Sequence, residues 1–268
     1  MSFRALHESG CFVIPNPWDR GSARFLAHAG FKALASSSAG FAFSQGLPDK
    51  VSALPRDNVL DHLRDIVAAT PLPVNADFQN GYADEPQGVA RNVRLCAATG
   101  VAGLSIEDAT GRADPLYELP LAIDRIAAAR AALDGTEVLL TARAECFLVG
   151  HPDPLAESIR RLQAYSEAGA DVLYAPGLRN LAEVRQVVDA VNRPVNVVTG
   201  WLDPDITLAQ LGEAGAKRIS VGGALSRLAL ATFISAANAM KDEGSFAWKR
   251  DMAPIANVWR LLNAGAGA

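Results

Sequence analysis

Short apolar runs punctuate this chain at residues 11–15, 33–37, 73–77, 102–107, 137–143, 171–175, 194–198 and 218–221. Most are near-continuous rather than alternating, which suits parallel strands covered on both faces. Between them lie alanine-rich stretches with apolar residues at helical spacing, clearest at 21–29, 87–98, 121–132, 154–168, 181–191 and 208–214. Gly30, Gly100, Gly169 and Gly215 each close a helical stretch just before a strand, where glycine supplies the left-handed cap that stops a helix. Eight strand–helix alternations at roughly 30-residue spacing predict an α/β fold of the (β/α)8 barrel type. An open doubly wound sheet is the alternative, weakened because no GxGxxG follows the first strand. Two further helical stretches, 225–241 and 246–262, follow the eighth strand with an open segment 241–245 between them. A minimal barrel has no place for the extra C-terminal helix, so it covers the barrel's end or packs on another subunit. No linker rich in Pro, Ser or charge interrupts the pattern, so residues 1–268 read as one barrel domain.

Composition narrows the class. Half of the 268 residues are hydrophobic, enough for one large core. A net charge of −4 argues against a nucleic-acid surface, which needs a basic face. No apolar run reaches the roughly 18 residues of a membrane span, and Met1–Glu8 has no signal-peptide core. Cys11, Cys96 and Cys146 are far apart, odd in number and set in apolar sequence; they read as buried reduced thiols of a cytoplasmic protein.

In a (β/α)8 barrel the chemistry sits at the C-terminal ends of the strands. Those ends carry Asn16 and Asp19, then Ser36, Ser37 and Ser38, then Asn75 and Asp77, then Glu107 and Asp108, then Arg143 and Glu145, and later Asn196. Buried charge is costly unless it is paired or metal-bound. Asp77 and Glu107 lie on neighbouring strands and can share one cation. Their hard oxygens suit Mg²⁺, with Mn²⁺ as a substitute. Arg143, one strand further, can hold a substrate carboxylate with two parallel hydrogen bonds. Simpler readings stand beside these: Asp77 as a cap, Glu107 with Arg143 as a structural ion pair, the serines as a polar loop, and Asn196 as a partner for backbone groups. Gly222 and Gly223 resemble a phosphate-binding helix start, but close strand–helix packing suits them better. His7, His28, His62 and His151 lie away from the rim and have no assigned role.

These residues carry a resemblance to the isocitrate lyase/phosphoenolpyruvate mutase superfamily over roughly residues 3–240. The matching motifs run in order: Asn16-Pro17-Trp18-Asp19, Ser22-Ala23-Arg24, Gly30-Phe31, Ser36-Ser37-Ser38-Ala39-Gly40, Gly46-Leu47-Pro48-Asp49, Asn75-Ala76-Asp77, Gly81-Tyr82, Ile106-Glu107-Asp108, Ala142-Arg143 and Asn196. The resemblance implies a Mg²⁺-assisted barrel with a domain-swapped last helix, assembled as a homotetramer. It implies that Ser36, Ser37 and Ser38 bind the carboxylate of a 2-oxo acid, that Asn196 joins the substrate site, and that Asp49, Glu107 and Arg143 serve catalysis. Asp77, Glu107 and Asn75 fall at the metal positions.

Three departures shape the expected chemistry. Asn75 stands where the family usually carries a first aspartate, which removes one negative charge from the metal site. The family's Arg-Thr-Asp is here Arg143-Ala144-Glu145. The loop after Glu107 holds no cysteine for isocitrate or methylisocitrate cleavage, and no Asn-Ser pair for phosphoryl transfer. The resulting expectation is a Mg²⁺-dependent carbon–carbon lyase that acts on a small 2-oxo acid through an enolate, in the manner of an oxaloacetate decarboxylase. Carbon–phosphorus chemistry of the phosphonopyruvate mutase or hydrolase type, and a non-catalytic 2-oxo acid binder, are the alternatives. No nucleic-acid or membrane partner is expected.

Overall fold

A computed structural model describes residues 2–51 and 53–264. All eight expected strands are present: β1 Phe12–Ile14, β2 Leu34–Ala35, β3 Val74–Asp77, β4 Gly103–Glu107, β5 Leu139–Arg143, β6 Val172–Tyr174, β7 Val195–Val198 and β8 Arg218–Ser220. Every pair is parallel, in the order β1-β8-β7-β6-β5-β4-β3-β2. The two ends of that order are joined by the Ala35 amide, which donates to the Pro15 carbonyl at 3.1 Å. Eight parallel strands, each followed by helical cover, close in this way into a (β/α)8 barrel.

The helices follow the apolar spacing closely: α1 Arg20–His28, α4 Pro86–Ala97, α5 Leu119–Ala132, α6 Pro154–Glu167, α7 Leu181–Ala190 and α8 Leu208–Glu213. Helix α1 begins in a capping box, with Asp19 accepting from the Ser22 amide. Two helices lie beyond the clearest sequence signals: α2 Ser38–Ser44 and α3 Arg56–Ala68. The serine cluster is therefore not a plain loop, because Ser37 caps α2 by accepting from the Gly40 amide. Gly40 lies where a Cβ would come within 2.8 Å of Trp18 Cβ, so only glycine lets α2 sit this close to the strand β1 end.

The C-terminal region departs from the expectation of one helix over 246–262. Helix α9 spans Ala224–Glu243, a 3-10 turn covers Ala247–Asp251, and α10 spans Ile255–Ala264. Pro254 accounts for the break: it lacks an amide hydrogen, and it disfavours helical backbone at the residue before it. Helix α10 lies beside α1, where the Arg24 guanidinium donates to the Leu262 carbonyl at 3.5 Å. Large apolar side chains of this region stay exposed in the single chain, among them Leu228 at 66%, Phe233 at 70% and Trp259 at 62%.

Candidate active site

Strand parity and register bring the functional side chains inward at one end of the barrel. Glu107 is level with Arg143, Arg143 with Tyr174, and Tyr174 with Asn196. Arg143 is the hub. Its guanidinium lies 3.2 Å from Glu107 and 3.8 Å from Asp77, and it pairs closely with Glu145. On its other side it stands over the Tyr174 ring, 5.2 Å from the centroid. Glu145 is held from behind, because its amide donates to Asp108 Oδ1 at 2.8 Å. Asp108 in turn accepts from the Tyr165 hydroxyl at 2.6 Å and pairs with Arg161 at 3.1 Å. The loop after β3 is fixed by Arg125, which donates to the Asn80, Ala83 and Asp84 carbonyls. That anchoring keeps Gln79 and Tyr82 in left-handed backbone, at φ of 43° and 55°.

The serine segment joins this cluster through Asp77. Asn16 ties β1, β2 and β8 together: its amide donates to the Ser36 carbonyl, and its carbonyl accepts from Val221 and Gly222. Ser36 Oγ accepts from the Asp77 amide at 2.8 Å, and the Ser38 amide donates to Asp77 Oδ2 at 2.9 Å. Ser38 also reaches Asp49, 3.4 Å away. Asp77 Oδ1 is left buried without a hydrogen-bond partner.

Charge is unbalanced here. Asp49, Asp77, Glu107 and Glu145 gather around a single guanidinium. Burial, reinforced by neighbouring carboxylates, holds Glu107 well above the usual glutamate range. Burial raises Glu145 and Asp49 as well, against the pull of Arg143. For Arg143 itself burial acts downward, but Glu145 and Glu107 outweigh it and lift the guanidinium well above its ordinary value.

A second polar cluster gathers around Arg218. Arg218, 2% exposed, donates to Asn196 Oδ1 at 2.7 Å, Thr141 Oγ1 at 3.0 Å and Asn75 Oδ1 at 3.4 Å. Among the described residues it has no carboxylate partner. Burial lowers its pKa to about 10. Asn75 and Asn196 thus sit on Arg218, while Ser36, Ser38, Asp49, Asp77, Glu107 and Arg143 are brought together in the other cluster. Ser37 caps α2 and lines the same opening.

Three connected cavities share Arg143. The deepest, of about 60 Å³, is lined by Asp77, Tyr174, Asn196, Arg218 and Ser220 among others. Outside it, one of about 430 Å³ lies between the serines, Tyr174 and Trp201. Another, of about 410 Å³, lies between Asp49, Glu107 and the 109–115 loop. Among the described residues, no three His, Cys, Asp or Glu side chains form a ready-made metal cage. Mg²⁺ needs only one or two carboxylates when water and substrate oxygens complete its shell. Asp77 Oδ1, buried without a hydrogen bond, and the excess of buried carboxylates fit such an ion.

Sequence reasoning passed over Tyr174 and Arg218. The available signal was parity, which puts Tyr174 with Val172, and Arg218 with Ser220, on one face of their strands. Cys146 is fully buried, and burial pushes its thiol up to about 11. The 109–118 loop is latched outward instead: Arg112 pairs with Asp84 at 2.7 Å, and the Tyr117 hydroxyl donates to Asp84 at 2.6 Å.

Residues 3–241 match the phosphoenolpyruvate phosphomutase family. The 2-methylisocitrate lyase of Escherichia coli K12 is 32% identical, over 80% of this chain and 74% of its own. The oxaloacetate decarboxylase of Pseudomonas savastanoi pv. phaseolicola is 30% identical, over 83% of this chain and 77% of its own. A solved structure from Burkholderia cenocepacia J2315, provisionally described as a lyase/mutase, is 50% identical with a TM-score of 0.92. It covers 97% of this chain, and the match takes in 93% of that chain.

Proposed function

The chain belongs to the phosphoenolpyruvate phosphomutase family, and from that premise we propose that it is a Mg²⁺-dependent lyase that cleaves a carbon–carbon bond of a small 2-oxo acid. The observation that carries this reading is Arg143, held among Asp77, Glu107 and Glu145 beside a buried carboxylate oxygen that accepts no hydrogen bond. No thiol stands in the 109–118 loop to act as an acid.

Asp77 and Glu107, with Asp49 nearby, would hold the ion together with water. Asn75, engaged by Arg218, is left out of that set. Bound Mg²⁺ supplies Lewis-acid stabilisation of the charge that develops on the keto oxygen. The substrate carboxylate is placed at Ser36, Ser37 and Ser38, and Arg143 adds fixed donors where negative charge grows. Arg143 can serve because it is already desolvated and oriented by Glu145, so little reorganisation accompanies the reaction. A carboxylate leaving as CO₂ needs no protein acid at the departing end, which suits a site whose nearest thiol, Cys146, is buried and protonated.

The exposed apolar side chains of α9 and α10 further suggest a domain-swapped oligomer, a tetramer on our reading, in which a second copy covers them. Light scattering at micromolar concentration tests this, and a monomer refutes it. The function is tested by a panel of 2-oxo acids with Mg²⁺. Pyruvate and CO₂ from oxaloacetate are expected, abolished by chelator and restored by Mg²⁺ or Mn²⁺. Phosphate release from phosphonopyruvate would instead place the chain with carbon–phosphorus enzymes, and binding without turnover would make it a 2-oxo acid binder.

A further inference from the structure

Cleavage next to a carbonyl leaves an enolate that must gain a proton at C3, and carboxylates that hold a cation are not free to give one. We propose that Tyr174 is that proton donor, an assignment that rests on the enolate chemistry proposed above. Tyr174 is the inward residue of β6, level with Arg143 on one side and Asn196 on the other. It lines both the deep cavity of about 60 Å³ and the outer one of about 430 Å³, and Asp77 and Arg143 line both as well. Ser220, at the end of β8, lines the deep cavity beside it. Among the described residues, the other neutral hydroxyls around these two cavities are the serines Ser36, Ser37, Ser38, Ser105 and Ser220, all weaker acids than a phenol. Among the described residues, no histidine, lysine or cysteine lines either cavity.

The proton balance closes. The bond from C3 to its leaving group breaks, and its electron pair enters the enolate. C3 then takes the phenolic proton as the keto group re-forms. The tyrosinate recovers a proton from water. The deep cavity has room for ordered water, which needs only about 10–15 Å³. Burial holds the Tyr174 hydroxyl above the usual tyrosine range, so the group enters each turnover as a phenol. The carbanion carbon of an enolate is a stronger base than tyrosinate, so the transfer runs downhill.

The test is exchange of the C3 hydrogens of pyruvate for deuterium in D₂O, followed by NMR with Mg²⁺ present. This is the proton step alone, common to any enzyme that makes pyruvate enolate. Wild type is expected to exchange. Tyr174→Phe is expected to slow exchange by about 100-fold or more, the usual worth of a placed general acid. It should leave the affinity for oxalate, a planar mimic of the enolate, within about twofold, since the phenol does not hold the carboxylate. Three results overturn the assignment: wild type that does not exchange, Tyr174→Phe within about threefold of wild type, or exchange and oxalate binding lost together. Exchange by a wild type that decarboxylates no acid in the panel overturns the decarboxylase reading alone and leaves Tyr174 as the donor.

Discussion

Arg143 and Arg218 both point into the barrel from its strands, and their surroundings are opposite. Arg143 is packed among Asp77, Glu107 and Glu145. Arg218 is bound by Asn75, Thr141 and Asn196, three neutral oxygens. The first has its charged state reinforced, and the second has its pKa lowered to about 10. A guanidinium among neutral acceptors acts as a clamp: it joins β3, β5 and β7 through their side chains and fixes the inner diameter. A guanidinium outnumbered by carboxylates is a site with charge left over, ready to bind a cation and a substrate anion. The contrast separates the part of the polar interior that does chemistry from the part that supports it.

The same substitution at both arginines breaks or sharpens that contrast most strongly. Arg143→Met removes donors aimed at developing charge, and kcat/KM should fall by about 10³, with the fold retained by circular dichroism. Arg218→Met leaves three buried oxygens without a donor and should cost about 2–4 kcal/mol in denaturant unfolding. Its effect on kcat/KM should be far smaller than that of Arg143→Met. If Arg218→Met proved the more damaging to turnover, the division into a reacting and a supporting layer would be wrong.

A smaller effect concerns the carboxylate excess. Glu107 in the folded protein has a pKa well above its ordinary value of 4.5. The folded state therefore binds the proton more tightly than the unfolded chain does. Glu107's contribution to stability is full below 4.5 and is lost as pH rises through the folded pKa. Each unit of elevation corresponds to about 1.4 kcal/mol. Metal-free Glu107→Gln should therefore melt above wild type at neutral pH, with the gap closing as pH falls toward 4.5. A gap that widens on acidification would mean that Arg143 already holds Glu107 ionised. Smallest of all is Cys146→Ser, expected to keep turnover within about threefold, because a buried, protonated thiol is not the acid. Isocitrate and 2-methylisocitrate should be cleaved negligibly by either form. Efficient cleavage that disappears in Cys146→Ser would relocate the acid.

Much of this was legible in the chain. Continuous apolar runs mark strands buried on both faces, and all eight lie within or at the expected segments. The rule that barrel chemistry sits at strand ends then picked out Asp77, Glu107 and Arg143 without any coordinates. The C-terminal helix was less legible, since apolar spacing continues across Pro254 although the backbone cannot. Helix α2 was hidden because serines read equally as loop and as cap, and only the Gly40 approach to Trp18 decides between them.

The sequence by itself determined the period-two inward face of each strand, and with it which side chains enter the barrel, because alternation is a local property of extended backbone. It could not determine the level at which each side chain meets its neighbours. Strand register and barrel closure are long-range, set by pairings such as Arg143 with Tyr174 and by the Ala35–Pro15 hydrogen bond. That is why Asn75, read as a metal position, lies beside Arg218, and why Tyr174, silent in an apolar strand, stands in the site.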